Sequence, residues 1–566
     1  MPETIPPPAD SIAFPELDAS EMEAVRRMAE PCAYEDGQIV FRAGEADLDL
    51  FIVESGGIEI INPSDDDRQI VVHGPGQFAG DIDLLTRRPV IVTGIARGPT
   101  RLLRVPWVKI RELLTRIPRL GEKMLVAAQE RRRLLTEAGV LGLKVVGPGK
   151  CRDTMQVREF LFKNFVPYTW YDSESETGQR LMKDWGSPRK SPVIAFGKNE
   201  PMINPSLREL AQRAGVWRHC PGENVDLAVI GAGPAGMTAA VYAASEGVST
   251  VVLDRLGPGG QAGGSSKIEN FIGFPSGLSG GELAVRSVLQ MLKFGAKMVA
   301  PVLVEKLDPA AQPGGLHALH LDCGTTLRTK TVLIAAGVRW RKLEAEGADR
   351  FESAGIHYAC TSVEALLYDK QDVAVVGAGN SAGQAAMFLS ECCADRKVHL
   401  LVRRRLGPGM SAYLVNRIRA ARNIRVHEGV EISAVQGKRL LESVTLSAFN
   451  PDGAAKGSTD NEADGQAQET LPISAAFVFI GAEPGCGWLP QTLARDQLGY
   501  ILTGIDALKS GKWPLTDREP CPLETTIPGI LAAGDIRSGS TKRVGFAVGD
   551  GSLAVTCVHR LTAIKN

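Results

Sequence analysis

Residues 225–230 (VDLAVI) are a short apolar run of strand type that leads straight into Gly231-Ala-Gly233-Pro234-Ala235-Gly236. A helical stretch, MTAAVYAASEG, and a second strand, STVVLD, follow. The order returns at 372–376 (DVAVV), with Gly377-Ala-Gly379-Asn380-Ser381-Ala382, a helix and the strand VHLLV. Strand, glycine turn, helix, strand predicts parallel sheets with helical crossovers. A further apolar strand, ILAAGD at 530–535, runs into Gly534-Asp535. The first part of the chain is patterned differently. Over 37–106, short alternating strands are separated by glycine turns, which predicts a small β-barrel or roll. The following stretches, VKIRELLTRIPRLGEKML and AAQERRRLLTEAG, have apolar residues at steps of three and four and predict helices. Between 141 and 220 the pattern is strand (LKVVG), helix (MQVREFLFKNF), strand (VPYTWYD), strand (SPVIAF) and helix (SLRELAQRAG). Segment 451–470 is polar and aperiodic and reads as an exposed loop between strands.

The glycine motifs carry chemistry. In the first, Gly231 permits the tight turn, Gly233 lets a pyrophosphate approach the backbone, and Gly236 allows close helix–strand packing. The helix N-terminus then stabilises the phosphate charge. Asp254, 18 residues beyond Gly236, stands where a carboxylate accepts hydrogen bonds from ribose hydroxyls. In the second, the strand ends in Arg403-Arg404-Arg405. A guanidinium pairs with a ribose 2′-phosphate, whereas a carboxylate repels it. The first site therefore suits FAD, and the second suits NADPH over NADH.

Composition narrows the partners. The net charge is −1, so nucleic acid and anionic membrane are poor candidates. No apolar run is long enough to span a bilayer, and MPETIPPPAD reads as a frayed tail rather than a secretory signal. Ten cysteines lie scattered without framework spacing, which fits a reducing compartment and makes the cytoplasm the expected location. No metal site is expected.

GPGGQ at 257–261, KIENFIGFP at 267–275, GNSA at 379–382 and GILAAGD at 529–535 occur in an order and spacing that resembles the low-molecular-weight thioredoxin-reductase family over roughly 222–566. The resemblance implies an FAD domain in two segments, 222–337 and 485–566, with an NAD(P)H domain, 338–484, inserted between them. It implies cofactor contacts from Gly260, Gln261, Asn270, Ala336, Gly337, Gly534, Asp535 and Val544, and a homodimer. The chain departs from that family where the family has Cys-x-x-Cys: here the stretch is Cys360-Thr361-Ser362-Val363. One thiol cannot close on itself, so the relay from flavin through a dithiol to a thioredoxin is absent. Cys360 then reads as a small core residue, with a mixed disulfide as the alternative. The adjacent Cys392 and Cys393 also read as core. The arginine cluster is shorter than the family's, with Pro408 near the place of a later Arg, so another donor, such as a ferredoxin, stays open.

The first part resembles two other families. Residues 15–135 resemble a cyclic-nucleotide-binding domain, but Asp81 and Val90 stand where its phosphate cassette has Glu and Arg. An apolar residue does not neutralise a buried phosphate, so cyclic AMP is not expected to bind in the usual way; Arg87 and Arg88 are the remaining cations nearby. Residues 141–220 resemble a glutaredoxin-like thioredoxin fold, with Cys151 at the first-cysteine position, Thr154 in place of the second, and Pro192 at the family's cis-proline. A thiol at a helix N-terminus has its thiolate stabilised by the dipole, so Cys151 is either reactive or an inert remnant.

The fold class expected is therefore multidomain α/β: a β-roll, a thioredoxin-like unit and a flavoprotein with two dinucleotide-binding domains. The leading functional expectation is an FAD-dependent oxidoreductase taking electrons from NADPH or another donor, without a CxxC relay, for an unidentified acceptor. A redox protein could serve as donor or acceptor. The alternatives are a monothiol disulfide or glutathione-linked reductase using Cys151 or Cys360, and a regulatory redox-sensing flavoprotein with little turnover.

Overall fold

The computed structural model describes residues 12–563 except 64–66, 81–83, 85–87, 138–142, 187–190, 198–199, 219, 221, 223, 266, 353 and 450–468. Most of the polar segment 451–470 lies outside these residues, as do Asp81 and Arg87. Strands Ser443–Ala448 and Glu469–Pro472 flank that segment and pair with each other.

The first part is an antiparallel roll. Its long strands Leu50–Asn62 and Thr93–Val105 pair along most of their length, and Glu30–Tyr34 and Arg68–His73 extend the sheet on either side. Alternation places Leu50, Ile52, Ile58 and Leu102 in one core, closed by Ile110 and Leu113 of helix Trp107–Arg116. Val90 is buried in that same core, where a charged side chain would be costly. Arg131 of helix Pro118–Glu137 supplies a guanidinium nearby, donating to the carbonyls of Ala13, Phe78 and Gly80 and lying 4.4 Å from the Phe78 ring centroid.

The second unit is a four-stranded sheet in the order Met202–Ile203, Val193–Phe196, Leu143–Gly147, Thr169–Asp172, with only the last pair parallel. Helix Arg152–Lys163 packs Val157, Phe160 and Leu161 against it and starts at Cys151. The only cis peptide bond among the described residues precedes Pro301, so the bond before Pro192 is trans, contrary to the cis-proline expectation. The Pro192 carbonyl accepts from Asn204 in the return to the edge strand.

Two larger sheets follow. The first has the strand order Lys297–Val299, Thr250–Leu253, Val225–Ile230, Thr326–Ile334, His317–Leu321, Val304–Asp308. Strand Ile530–Ala532, some 200 residues downstream, joins it parallel to Thr326–Ile334. The second is all parallel: Ile356–His357, Ala475–Val478, Val373–Val376, Val398–Val402 and Ile424–Glu428. Its strands Val373–Val376 and Ala475–Val478 are apolar throughout because both faces are covered. The chain enters and leaves this sheet through an antiparallel ribbon, Val338–Trp340 against Ala482–Pro484.

Candidate functional site

Both glycine turns have the geometry their spacing predicts. Gly231 has φ +108°, and a Cβ there would lie 2.3 Å from the Ala335 carbonyl oxygen. At Gly236 a Cβ would lie 2.0 Å from the Gly231 carbonyl, so helix Pro234–Ser245 sits as close to its strand as backbone permits. Pro234 takes the first helical position and Gly233 caps it; Ala235 is buried against the last helix, where Gly551 approaches its carbonyl. Gly260 (φ +55°) faces Gly233 from the second loop, and a Cβ on Gly260 would be 2.9 Å from the Gly233 Cα. Two loops thus present bare backbone to one another beside a helix N-terminus.

Asp254 is engaged more heavily than the sequence implied. One carboxylate oxygen accepts from the Ala232 N–H and the other from Leu256 and Gly257. A carboxylate has about four lone-pair sites, so roughly one remains for a ribose hydroxyl. Gln261 donates from Nε2 to the Val338 carbonyl. Asn270 is exposed, in a loop whose Ile272 is 91% exposed. Ala336 is exposed and Gly337 (φ +63°) makes the turn after strand Thr326–Ile334. Val544 begins the last helix, Val544–Ala563.

Asp535 follows Gly534 (φ +75°) in the turn after Ile530–Ala532. Its carboxylate is half-buried and accepts no hydrogen bond from a described residue. Burial raises its pKa, with Lys542 opposing and Asp550 adding to the rise. Sequence reasoning missed Asp550, whose oxygens take the Gly534 N–H and a paired Arg537 guanidinium. Its helical position gives no local signal for that role.

The second turn is built alike. Gly377 has φ +140°, and a Cβ there would lie 2.4 Å from the Phe479 carbonyl and 3.2 Å from the buried Ala382 Cβ. Gly379 caps helix Asn380–Cys392, and Asn380 accepts from the Ser411 N–H at 2.7 Å. Ser381 is exposed at the helix start. Arg403 and Arg404 are both exposed at the strand end. Arg403 pairs with Glu431 at 3.2 Å and lies over the Phe449 ring.

Cys360 is buried in the core with Ala365, Tyr368 and Leu389. Burial, reinforced by Glu364 and Cys392, pushes its thiol pKa well up, with Arg396 the only opposing cation. Of the adjacent pair, Cys393 is buried as expected but Cys392, the last residue of helix Asn380–Cys392, is exposed, although its sulfur still accepts from the buried Arg396 guanidinium at 3.2 Å. Cys151 is half-exposed at the N-cap of its helix, and the Thr154 hydroxyl behind it is buried without a partner. Lys150 lies 4.5 Å from the Tyr368 ring centroid, which seats the Cys151 loop against the second parallel sheet's domain.

Residues 225–551, more than half of the chain, match the family described as pyridine nucleotide-disulphide oxidoreductase. The chain belongs to this family. The chain is similar to thioredoxin reductase of Mycoplasma genitalium, 31% identical over 335 residues, 59% of this chain and 94% of the relative. The F component of alkyl hydroperoxide reductase from Pseudomonas putida is 32% identical over 59% of this chain, and that of Escherichia coli is 28% identical over 58%. The chain spans little more than half the length of these two relatives, 57% and 56%. Over 60% of this chain and 99% of that one, the fold is similar to that of T. acidophilum thioredoxin reductase, with a TM-score of 0.51 and 24% identity. Residues 31–116 match the cyclic nucleotide-binding domain family.

Membership is in a pyridine nucleotide-disulphide oxidoreductase family, and thioredoxin reductases of this kind use FAD and NADPH. The residues fit such cofactors: each glycine turn forms a cradle that a Cβ would fill, and Asp535 holds an unpartnered carboxylate beside the first. Among the described residues, no helix is long and apolar enough to cross a membrane.

Proposed function

We propose that this protein moves electrons from NADPH to an acceptor through FAD without a dithiol on its NAD(P)H domain. The observation that carries this reading is the state of Cys360, a single thiol buried in an apolar core with no second cysteine at position 363. FAD held at the first glycine turn would supply hydride acceptance from a nicotinamide and onward electron transfer to the acceptor. The chain's own part is binding and orientation. Gly231, Gly233, Gly236 and Gly260 admit a pyrophosphate to the backbone at the N-terminus of helix Pro234–Ser245. Asp254 keeps roughly one acceptor site for a ribose hydroxyl, and Asp535 is the free acceptor for hydroxyls further along the cofactor. Gln261, Asn270, Ala336, Gly337 and Val544 line its remaining length. Gly377, Gly379, Asn380, Ser381 and Ala382 form the nicotinamide nucleotide's turn, and Arg403 and Arg404 pair with its 2′-phosphate.

A second reading, monothiol chemistry, falls to Cys151 rather than Cys360. Its half-exposed thiol at a helix N-cap is reachable, whereas Cys360 is held protonated by burial. In a homodimer, a second copy would cover the exposed Tyr242, Phe546 and Leu553 of the two packed helices. The test of the main reading is anaerobic mixing of the yellow protein with NADPH or NADH in a stopped-flow instrument. Flavin bleaching within seconds by NADPH, and more slowly by NADH, is expected. Bound FAD that neither nucleotide bleaches would overturn the donor assignment.

A further inference from the structure

Helix Arg152–Lys163 of the second unit ends at Asn164, whose backbone N–H donates to the Phe160 carbonyl at 3.0 Å. The side chain is 4% exposed. Its Nδ2 donates to two carbonyls: Phe160, 2.9 Å away in its own helix, and Leu256, 2.8 Å away and 92 positions along the chain. Two acceptors on one nitrogen fix which way the amide faces. The approach is close, because a Cβ on Gly257 would lie 2.7 Å from Nδ2. Apolar contacts hold the same junction. Leu256 packs against the core of the second unit, and Phe165 packs against the cluster behind the first dinucleotide-type sheet.

The turn that Asn164 grips is the one that sets Asp254. The Leu256 and Gly257 N–H groups both donate to Asp254 Oδ1 at 2.9 Å, while the Ala232 N–H in the glycine turn donates to Oδ2 at 2.8 Å. The peptide unit joining Leu256 to Gly257 is therefore held on both sides: Asn164 takes its carbonyl and Asp254 takes its N–H. Bonds in series through one peptide polarise and orient one another. Without the Asn164 donor, the buried side of that carbonyl has no partner there. The peptide then gains by rotating toward water, which pulls its N–H off Asp254.

We propose that Asn164 is a positioning residue for FAD: through the Leu256–Gly257 peptide it fixes the direction of the Asp254 carboxylate, which makes the second unit a built part of the ribose site. The proposal rests on the reading of Asp254 as the ribose acceptor. The second unit is thus seated on the cofactor's turn and serves FAD binding whether or not Cys151 reacts. Coupling of this kind is reciprocal, so FAD also tightens the C-terminal end of helix Arg152–Lys163.

The test is a double-mutant cycle on the full-length protein, stripped of FAD and titrated with FAD while flavin fluorescence is followed. Asn164→Ala should weaken FAD binding by about 3–10-fold. Asp254→Ala should weaken it as well, and the two losses should not add: once Asp254 is gone, Asn164→Ala should change affinity by less than about twofold. The same loss in both backgrounds would overturn the proposal, since Asn164 would then act on the fold and not through Asp254. Wild-type affinity in Asn164→Ala, with Asp254→Ala impaired, would overturn it and leave the ribose reading standing. Wild-type affinity in Asp254→Ala would remove that reading and the proposal with it. A second measurement needs no variant. In hydrogen exchange of the wild-type protein, FAD should slow residues 160–168 more than strand Leu143–Gly147 of the same unit; equal slowing in both would contradict the coupling.

Discussion

Cys360 pairs with Ser265 in an isolated parallel bridge, so its backbone lies against the loop that follows Gln261. Its side chain, by contrast, is buried in the core beside the second parallel sheet. The sulfur is enclosed, and burial pushes its pKa well up. Arg417, bound to Glu269 through both carboxylate oxygens, fastens the same two domains a short way off. Replacing Cys360 by alanine should therefore leave the steady-state rate with any artificial acceptor unchanged within about twofold. A drop of tenfold or more, with normal FAD content, would restore a thiol role.

The arginines at the end of strand Val398–Val402 should set nucleotide choice. The double change Arg403→Ala and Arg404→Ala removes charge-assisted bonds worth about 1.5–3 kcal/mol, which raises the KM for NADPH by roughly 10–100-fold. The KM for NADH should stay nearly constant. Equal losses for both nucleotides would assign the arginines to folding, through the Glu431 pair of Arg403, rather than to the 2′-phosphate.

Gly231→Ala should abolish FAD retention. The new Cβ meets the Ala335 carbonyl at 2.3 Å and the residue must hold φ +108°, a combination that costs about 3 kcal/mol. Flavin absorbance per protein after gel filtration gives the answer. A yellow Gly231→Ala protein would show that the turn relaxes.

Asp535 couples cofactor and pH. Burial raises its folded pKa above the unfolded value, so the folded state holds its proton longer. Between those values the unfolded chain binds fewer protons, and stability falls as pH rises. In FAD-free protein, Asp535→Asn should remove that fall above the carboxylate range and raise the unfolding temperature at neutral pH, while weakening FAD binding. Differential scanning fluorimetry of the apo forms against pH is the measurement; parallel curves would contradict it.

His357 gives the opposite acid limit. It is buried beside Tyr368, 2.7 Å from its hydroxyl, and burial lowers its pKa to about 4, with Lys150 adding to the shift. A base whose folded pKa is depressed contributes its full stability above its unfolded pKa of about 6.5 and loses it as pH falls toward the folded value. His357→Gln should flatten the acid limb of the stability curve between those values. An unchanged limb would assign acid sensitivity to other buried histidines, such as His317, also lowered to about 4 by burial.

The glycine turns were legible in the sequence because their requirements are local: a positive φ at Gly231 and Gly377 and a missing Cβ at Gly236 follow from the motif itself. The parallel sheets followed from apolar strands alternating with helices. Long-range contacts were not legible. Nothing beside Arg131 in sequence says that its guanidinium reaches the Gly80 carbonyl, nor beside Asp550 that it takes the Gly534 N–H. Asp254 was found by spacing, but its three backbone donors depend on how the next loop turns.

The most direct test of a flavin that works without a dithiol is an anaerobic reductive titration of the wild-type protein and Cys360→Ala, counting electrons taken up per FAD. Both should accept the same number before excess reductant accumulates, because Cys360 contributes none. A titre that falls by two electrons in Cys360→Ala would show that this thiol belongs to a redox-active disulfide, contradicting the account.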